Sequence, residues 1–580
     1  MDMNMKRHIT IISALVLFLS SCVSMDMVPK SQGNSESWYS TEMELQMAVN
    51  EFYILGYWNA LEGSEQWTDN FTYRLINRHE SSGAPLDGNL DGQKYYVYHL
   101  WEQSYKLISR ANSLIVNSSR ALENGVNEEV VARYAAEAYF CRACKYADLV
   151  SYFGGVPYID RLLTIDEARK MTRMPKDEII PKIYEDFDKA VAGLPEDWGA
   201  EAVHATKGAA LAMKARFALY MGDWATAAAA AKACMNLNIY SLEDDFSRVF
   251  LQNTKQIPEK IFVIPRSAAA SVVLDQWYVN NGLPRNAGGY GSDNPSWDLL
   301  AAFLCTDGLP IDESPLFDPK NPFANRDPRC TETIVEFGTR HCGYDYQPRM
   351  DVEQVMNYWT GKMQSNQDNR KIATYASFNG LIWKKGIDES WLNEEGKKLD
   401  NLNETDYIIM RYADVLLMYA EAKIELGEID QSVLDAINSV RARAYGVDVT
   451  STTSYPYVGG TDQAALRQAV RIERRMEFAK EDLRYMDLIR WGTYKTALNR
   501  YNYINLDPNE CLEKVVNKDL WLWAETPQID EDGHADFSAL YDRGLCARGA
   551  LRTFPDHQVL WPIPTYERLQ TENLEPNPGY

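Results

Sequence analysis

Apolar residues recur at three- and four-residue steps through 411–427 (RYADVLLMYAEAKIELG), where Tyr412, Val415, Leu416, Tyr419, Ala420 and Ile424 share one face. This period predicts a helix with one buried stripe. Gly427 ends it, as a residue free to adopt left-handed backbone does. A second helical pattern follows over 430–444, with Val433, Ile437 and Val440 in register. Two helices joined by so few residues form an antiparallel hairpin. The layout repeats earlier: an Ala-rich helix over 209–220, a turn at 221–223 and a second Ala-rich helix over 224–235. One hairpin cannot bury its own apolar face, so stacked copies are needed, as in tetratricopeptide (TPR) arrays.

Further helices are predicted over 39–57, with Thr41 as N-cap and Glu44 three residues on, and over 95–124, 127–153 and 176–194. Helical patterning returns over 463–491. The segment 471–491 (RIERRMEFAKEDLRYMDLIRW) is dense in charge and is expected to be a solvated, ion-paired face. Residues 261–264 (IFVI) predict a short strand. Residues 265–400 are rich in Gly, Pro, Asn, Asp and aromatics, with little helical period. Loops of such length in a folded domain are commonly functional. The fold class is therefore mainly α: TPR-like helical hairpins, an α-α superhelix, with an irregular loop-rich subdomain. The expected parts are 1–21, 22–38, 39–264, 265–405 and 406–580.

The chain start predicts an address. Lys6 and Arg7 precede an apolar run over 9–19, too short to span a bilayer, which takes about 20 residues. It fits a signal peptide, 1–21. Leu19-Ser20-Ser21-Cys22 resembles the bacterial lipobox, in which the Cys thiol is lipidated and becomes the mature N-terminus. Residues 23–34 are polar and form a tether.

The net charge of −23 argues against a nucleic-acid partner, which calls for a basic face. The 15 Trp and 35 Tyr are many for a helical protein, and such rings suit binding surfaces as well as cores. Cys141 and Cys144 lie at i and i+3 in a helical run and are expected as small core residues. Cys305, Cys330 and Cys342 are close enough in sequence for one disulfide among them. Asp87-Gly88-Asn89-Leu90-Asp91-Gly92 matches the first half of an EF-hand loop, but Tyr98 stands where the bidentate Glu belongs. A plain turn is expected there, with a structural Ca2+ held by Asp87, Asn89 and Asp91 as the alternative; no other cofactor is implied. The sequence has no GxSxG, HExxH or GxxxxGK[ST] motif, and no regular strand–helix alternation, so no catalytic residue is assigned.

Several ordered blocks resemble the SusD/RagB family of surface lipoproteins. They are Ala135–Ala143 (AAEAYFCRA) running to Tyr152-Phe153-Gly154-Gly155-Val156-Pro157, then Thr206-Lys207-Gly208-Ala209-Ala210, and Asn325-Arg326-Asp327-Pro328-Arg329. Residues 411–422 with 437–444, residues 471–492, and the closing Asn577-Pro578-Gly579-Tyr580 complete the set; Pro576 stands where the family usually has Gln. The resemblance implies a non-enzymatic protein anchored by lipid to the outer membrane at the cell surface. It would hold oligosaccharide or, in some members, peptide, and pair with a SusC-like TonB-dependent outer-membrane transporter. A TPR-type interaction adaptor is a further alternative. The shared blocks are scaffold and carry no ligand residues.

Sugar rings present apolar C–H faces and a hydroxyl rim, so aromatic faces beside Asn, Asp or Arg form the expected site. The candidates are Trp67, Asp69, Asn70, Tyr73 and Arg74 in one loop, and Trp277, Tyr290, Trp297, Tyr344, Trp359, Trp383 and Trp391 in the loop-rich region. Taken singly, each ring is expected in the core; a few from both loops are expected to converge on one exposed platform.

Overall fold

A computed structural model describes residues 37–75, 85–199, 204–571 and 573–580. The signal segment, Cys22 and the tether over 23–34 lie outside them. The fold is mainly α, with 44% helix and 10% strand. Helix α1 (Glu42–Phe52) opens with the expected capping box: Thr41 Oγ1 accepts the Glu44 N–H at 3.3 Å, and the Glu44 carboxylate accepts the Thr41 N–H at 3.1 Å. Helices α2 (Tyr95–Asn117) and α3 (Glu128–Phe153) form a long hairpin, and α4 (Lys176–Gly193) packs against α3. Their approach is close because Gly193 faces Ala136, where an added Cβ would come within 2.7 Å of the Ala136 Cβ. The Ala-rich hairpin is α5 (Lys207–Met221) and α6 (Trp224–Met235), turned at Gly222 with φ 73°.

After the short α7 (Gln276–Gly282), the next hairpin is α8 (Tyr412–Glu425) and α9 (Gln431–Ala444), and α8 packs on α6. Strand β1 (Phe71–Tyr73) pairs with a strand of the loop-rich region instead of a sequence neighbour. Strand β2 (Lys260–Ile264) contains the predicted IFVI and pairs antiparallel with β8 (Tyr407–Arg411), which leads into α8. Between β2 and β8 lie β3 (Asp293–Pro295) and a four-stranded antiparallel meander, β4 (Thr339–His341), β5 (Tyr344–Tyr346), β6 (Gln354–Asn357) and β7 (Lys362–Ser365). Two cores result. One joins the helices of both ends of the chain, from Leu45 to Leu574. The other gathers Phe71 and Tyr73 with residues of 274–392, with Met476 and Ala479, and with residues of 506–546.

The charged segment departs from expectation twice. It is two helices, α10 (Gln463–Phe478) and α11 (Arg484–Trp491), broken over 479–483 with Lys480 and Asp482 both at φ 65°. Its charges are not solvated. Glu473, Arg474, Arg475, Glu477, Arg484 and Asp487 are buried. Arg411 Nη1 reaches Glu259 at 2.7 Å and Glu477 at 2.6 Å, Arg329 bridges Asp327, Glu473 and Glu477, and Arg474 lies 2.7 Å from Asp414 and 2.9 Å from Asp487. Buried charges persist only when paired and hydrogen-bonded, and here their partners come from distant parts of the chain. Cys305, Cys330 and Cys342 are free thiols in the core, so the expected disulfide does not form; Cys141 and Cys144 are core residues as expected. Among the described residues no helix is long and apolar enough to cross a membrane.

Candidate functional site

β1 pairs antiparallel with β3, Tyr73 opposite Asp293. The register brings Arg74 out at the end of β1, where its N–H donates to the Ser292 carbonyl at 2.9 Å. Arg74 Nη1 donates to the Tyr290 carbonyl at 3.1 Å, and the guanidinium lies 5.8 Å from the Tyr290 ring centroid and 5.4 Å from that of Tyr375. A guanidinium at that distance from a ring face is held by the ring's quadrupole. Trp277 stands in the first turn of α7, whose N-cap Asp275 accepts the Trp277 N–H at 2.7 Å. Its indole meets Tyr290 edge to face, centroids 5.7 Å apart. Trp277 is 54% exposed, Tyr290 37% and Tyr375 58%. Three accessible rings and one cation thus form a shelf.

Behind Trp277 lies a cavity of about 370 Å³, within the range of small-molecule sites. Its walls come from the turn around Glu65, from α7, from Asp293 and from the break between α10 and α11. Lys480 Nζ donates to the Lys385 carbonyl at 2.8 Å and faces the rings of Tyr278 and Trp383. Asp482 accepts the backbone N–H groups of Gly63 and Glu65 at 2.9 and 2.8 Å. Burial dominates the titration of the group. It lifts the carboxyl of Asp293 to about 6 and that of Asp482 to about 7, and brings the Lys480 ammonium down to about 7. A second hollow of about 520 Å³ runs beside Arg471 and Trp491, but its single indole is already covered by the guanidinium groups of Arg471 and Arg490.

Of the expected platform, Arg74, Trp277 and Tyr290 come together. The remaining rings are corrected by their burial. Trp67 is packed among Tyr96, Tyr485 and Trp561. Tyr73 and Tyr344 are buried in strands, and Trp391 is fully enclosed. Trp297 is buried with its Nε1 donating to the Asn379 carbonyl at 2.8 Å. Trp359 lies against Gly343 and Gly396, partly buried. Trp383 is buried and offers the cavity only part of its ring. Asp69 and Asn70 are also buried. Arg484 and Arg475 lie 2.8 and 2.9 Å from Asp69, and Arg475 donates to Asn70 Oδ1 at 2.9 Å. Burial pushes the Asp69 carboxyl up, but the two guanidinium groups outweigh it and hold it well below its ordinary value. Asp69, Asp298 and His534 bring three ligand-type atoms within 4.8 Å of one another, yet Arg475 already supplies positive charge to both carboxylates. Asp87 and Asp91 are exposed, and each accepts a backbone N–H two residues on, from Asn89 and Gln93. Tyr375 was missed: it sits in a Pro-poor polar loop with no pattern to distinguish it from any other surface tyrosine.

The sequence profile of the SusD family matches residues 258–580, more than half of the chain. A second profile, described as starch-binding associating with outer membrane, matches residues 25–219. SusD-like protein P2 of Formosa agariphila is 26% identical over 505 residues, 84% of this chain and 91% of its own. A SusD-like protein of Bacteroides ovatus is 23% identical over 571 residues, 92% of this chain and 89% of its own. Among solved structures, a SusD-like carbohydrate binding protein of Bacteroides fragilis superposes with a TM-score of 0.72 at 27% identity, covering 93% of this chain and all of that one. A laminarin binding SusD-like protein shares the fold, with a TM-score of 0.62 at 19% identity over 93% of this chain and all of its own. The blocks quoted from the sequence, the hairpin scaffold and these matches agree: the chain belongs to the SusD family.

Proposed function

We propose that this protein is a non-enzymatic glycan-capture lipoprotein of the cell surface. Cys22 carries the lipid anchor. The chain takes up oligosaccharide on the shelf of Trp277, Tyr290, Tyr375 and Arg74 and delivers it to a SusC-like TonB-dependent transporter in the outer membrane. The observation that carries the reading is the cluster of accessible rings held by Arg74, since the core would otherwise have absorbed them. Ring faces cover the apolar C–H faces of a sugar, and the guanidinium donates to its hydroxyl rim. The carbohydrate-binding relative of known structure and the outer-membrane description of the second profile support the same reading.

Calorimetric titration against a glycan panel tests it. Trp277→Ala and Tyr375→Ala should each weaken binding by about tenfold, roughly 1.4 kcal/mol, with an unchanged melting temperature because both rings are exposed. Unchanged affinity in both variants would remove the shelf from the binding surface. Co-purification of a large outer-membrane barrel with the native protein, and an acyl mass on Cys22, test the partner and the anchor.

A further inference from the structure

The segment after α11 builds a second cluster of rings around a guanidinium. Strand β9 (Tyr501–Ile504) pairs antiparallel with β10 (Ala547–Leu551). Asn502 and Ile504 are buried, so the alternation of a strand turns Tyr501 and Tyr503 to the opposite face. Arg548 stands opposite Tyr503, and Leu551 opposite Tyr501. Three positions separate Arg548 from Leu551 where two separate their partners, so β10 carries one extra residue. That bulge leaves Arg548 and Leu551 both exposed on the outer face. Bulges re-aim side chains in this way and are frequent beside functional sites.

The Arg548 guanidinium lies 4.8 Å from the ring centroid of Tyr501 and 4.0 Å from that of Tyr541, which the short helix Ser538–Asp542 supplies. Tyr501 is 37% exposed and Tyr541 36%. Among the described residues Arg548 forms no ion pair, whereas Arg543, five positions earlier, pairs with Glu525. A guanidinium held by ring faces instead of a carboxylate keeps N–H donors available to a ligand. Arg74 on the first shelf is held in the same way, between Tyr290 and Tyr375.

The two clusters are joined by a short backbone path. Tyr375 stands three positions before Phe378, whose N–H donates to the Arg74 carbonyl at 3.3 Å and whose carbonyl accepts the Asn505 N–H at 3.0 Å. Hydrogen-bonded backbones lie about 5 Å apart, and two residues of β9 add about 7 Å, so Tyr503 is within about 17 Å of Arg74. Resting on the capture reading, we propose that the outer face of β9 and β10 is a second platform for the same glycan. A chain long enough to fill the first shelf continues onto Tyr501 and Tyr541, and Arg548 donates to its hydroxyls. The protein then holds long chains more tightly than short ones, because the second contact is made within a chain already bound.

The test is calorimetric titration with linear oligosaccharides of starch, β-glucan, xylan and mannan, each as a series from trisaccharide to decasaccharide. It is read on the full chain and on Arg548→Gln, Tyr501→Ala and Trp277→Ala, with a melting temperature for each. Both variants of the second platform alter exposed side chains, and Tyr501→Ala serves should Arg548→Gln fail to fold. In wild type the longest member of the bound series should bind about tenfold more tightly than the shortest. Arg548→Gln and Tyr501→Ala should each bring the long chain down to the affinity of the short one, while Trp277→Ala weakens every length. Wild-type affinity independent of length overturns the second platform and leaves the shelf standing, as does long-chain affinity equal in wild type and both variants. Equal weakening of all lengths by Arg548→Gln and Tyr501→Ala also overturns it. Binding of no series at any length overturns the capture reading and this one together.

Discussion

At the residue scale, the chain spends its charge in two ways. Arg329, Arg411 and Arg474 are enclosed among carboxylates and act as struts, whereas Arg74 is tied only to a carbonyl and two ring faces and stays available. The cavity carboxylates belong to neither class. Asp293 has its carboxyl lifted to about 6, chiefly by burial, from an ordinary value near 4. A carboxyl raised in the fold favours the folded state while protonated, and that stability is lost as pH rises through about 6. Lys480, lowered to about 7 by burial, acts in the opposite sense, costing less as pH climbs above 7. Asp293→Asn cannot ionise. Its melting temperature should match wild type near pH 4 and exceed it by pH 7.5, by the equivalent of on the order of 2 kcal/mol. A difference that stays constant from pH 4 to 7.5 would contradict this account.

At the element scale, small residues decide how closely helices approach. Gly193 closes α4 against α3, where a Cβ would lie 2.7 Å from Ala136 Cβ and 3.3 Å from the Ala132 carbonyl oxygen. Neither neighbour can swing away, so Gly193→Ala should destabilise the protein by about 1–3 kcal/mol in urea unfolding, as overpacking does. An unchanged midpoint would mean the helices shift apart freely. The hairpins were legible in sequence because their 3.6-residue period and Gly or Asp punctuation are local; 411–427, 209–235 and the Thr41 cap were each read within a few residues. The break at 479–483 was not. Lys480 and Asp482 adopt left-handed backbone without being Gly, and what holds Asp482 there includes the N–H groups of Gly63 and Glu65, more than 400 residues away in sequence.

At the scale of the whole molecule, Arg411 ties β8 to α10 and to the segment before β2. Its guanidinium contacts Glu259, Glu477 and Glu481, and Arg443 from α9 closes on Glu259 and Glu477. Removing Arg411 takes one positive charge from a buried network in which Glu259, Glu477 and Glu481 keep only Arg443, Arg329 and Lys385 as partners. Arg411→Met should therefore cost about 3–5 kcal/mol and lower the thermal midpoint, read by calorimetry or by circular dichroism. Loss of less than 1 kcal/mol would show that water or a rearranged partner replaces the guanidinium. Trp277→Ala, by contrast, should leave the midpoint unchanged while weakening glycan binding.

The sequence by itself determined the helical hairpins, the strand over 260–264, the family and the types of side chain a sugar site would use, because period, punctuation and ordered motifs are properties of neighbouring residues. It also drew its candidate rings from two loops, of which Trp277 and Tyr290 are exposed. Which rings leave the core was decided only by tertiary structure: Trp67 and Trp277 are alike in local context, yet one is walled in by Tyr96, Tyr485 and Trp561 and the other faces solvent. The pairing of β1 with β3 set Arg74 beside Tyr290 across 216 positions of chain. Burial is a sum over distant contacts, and no local pattern encodes it.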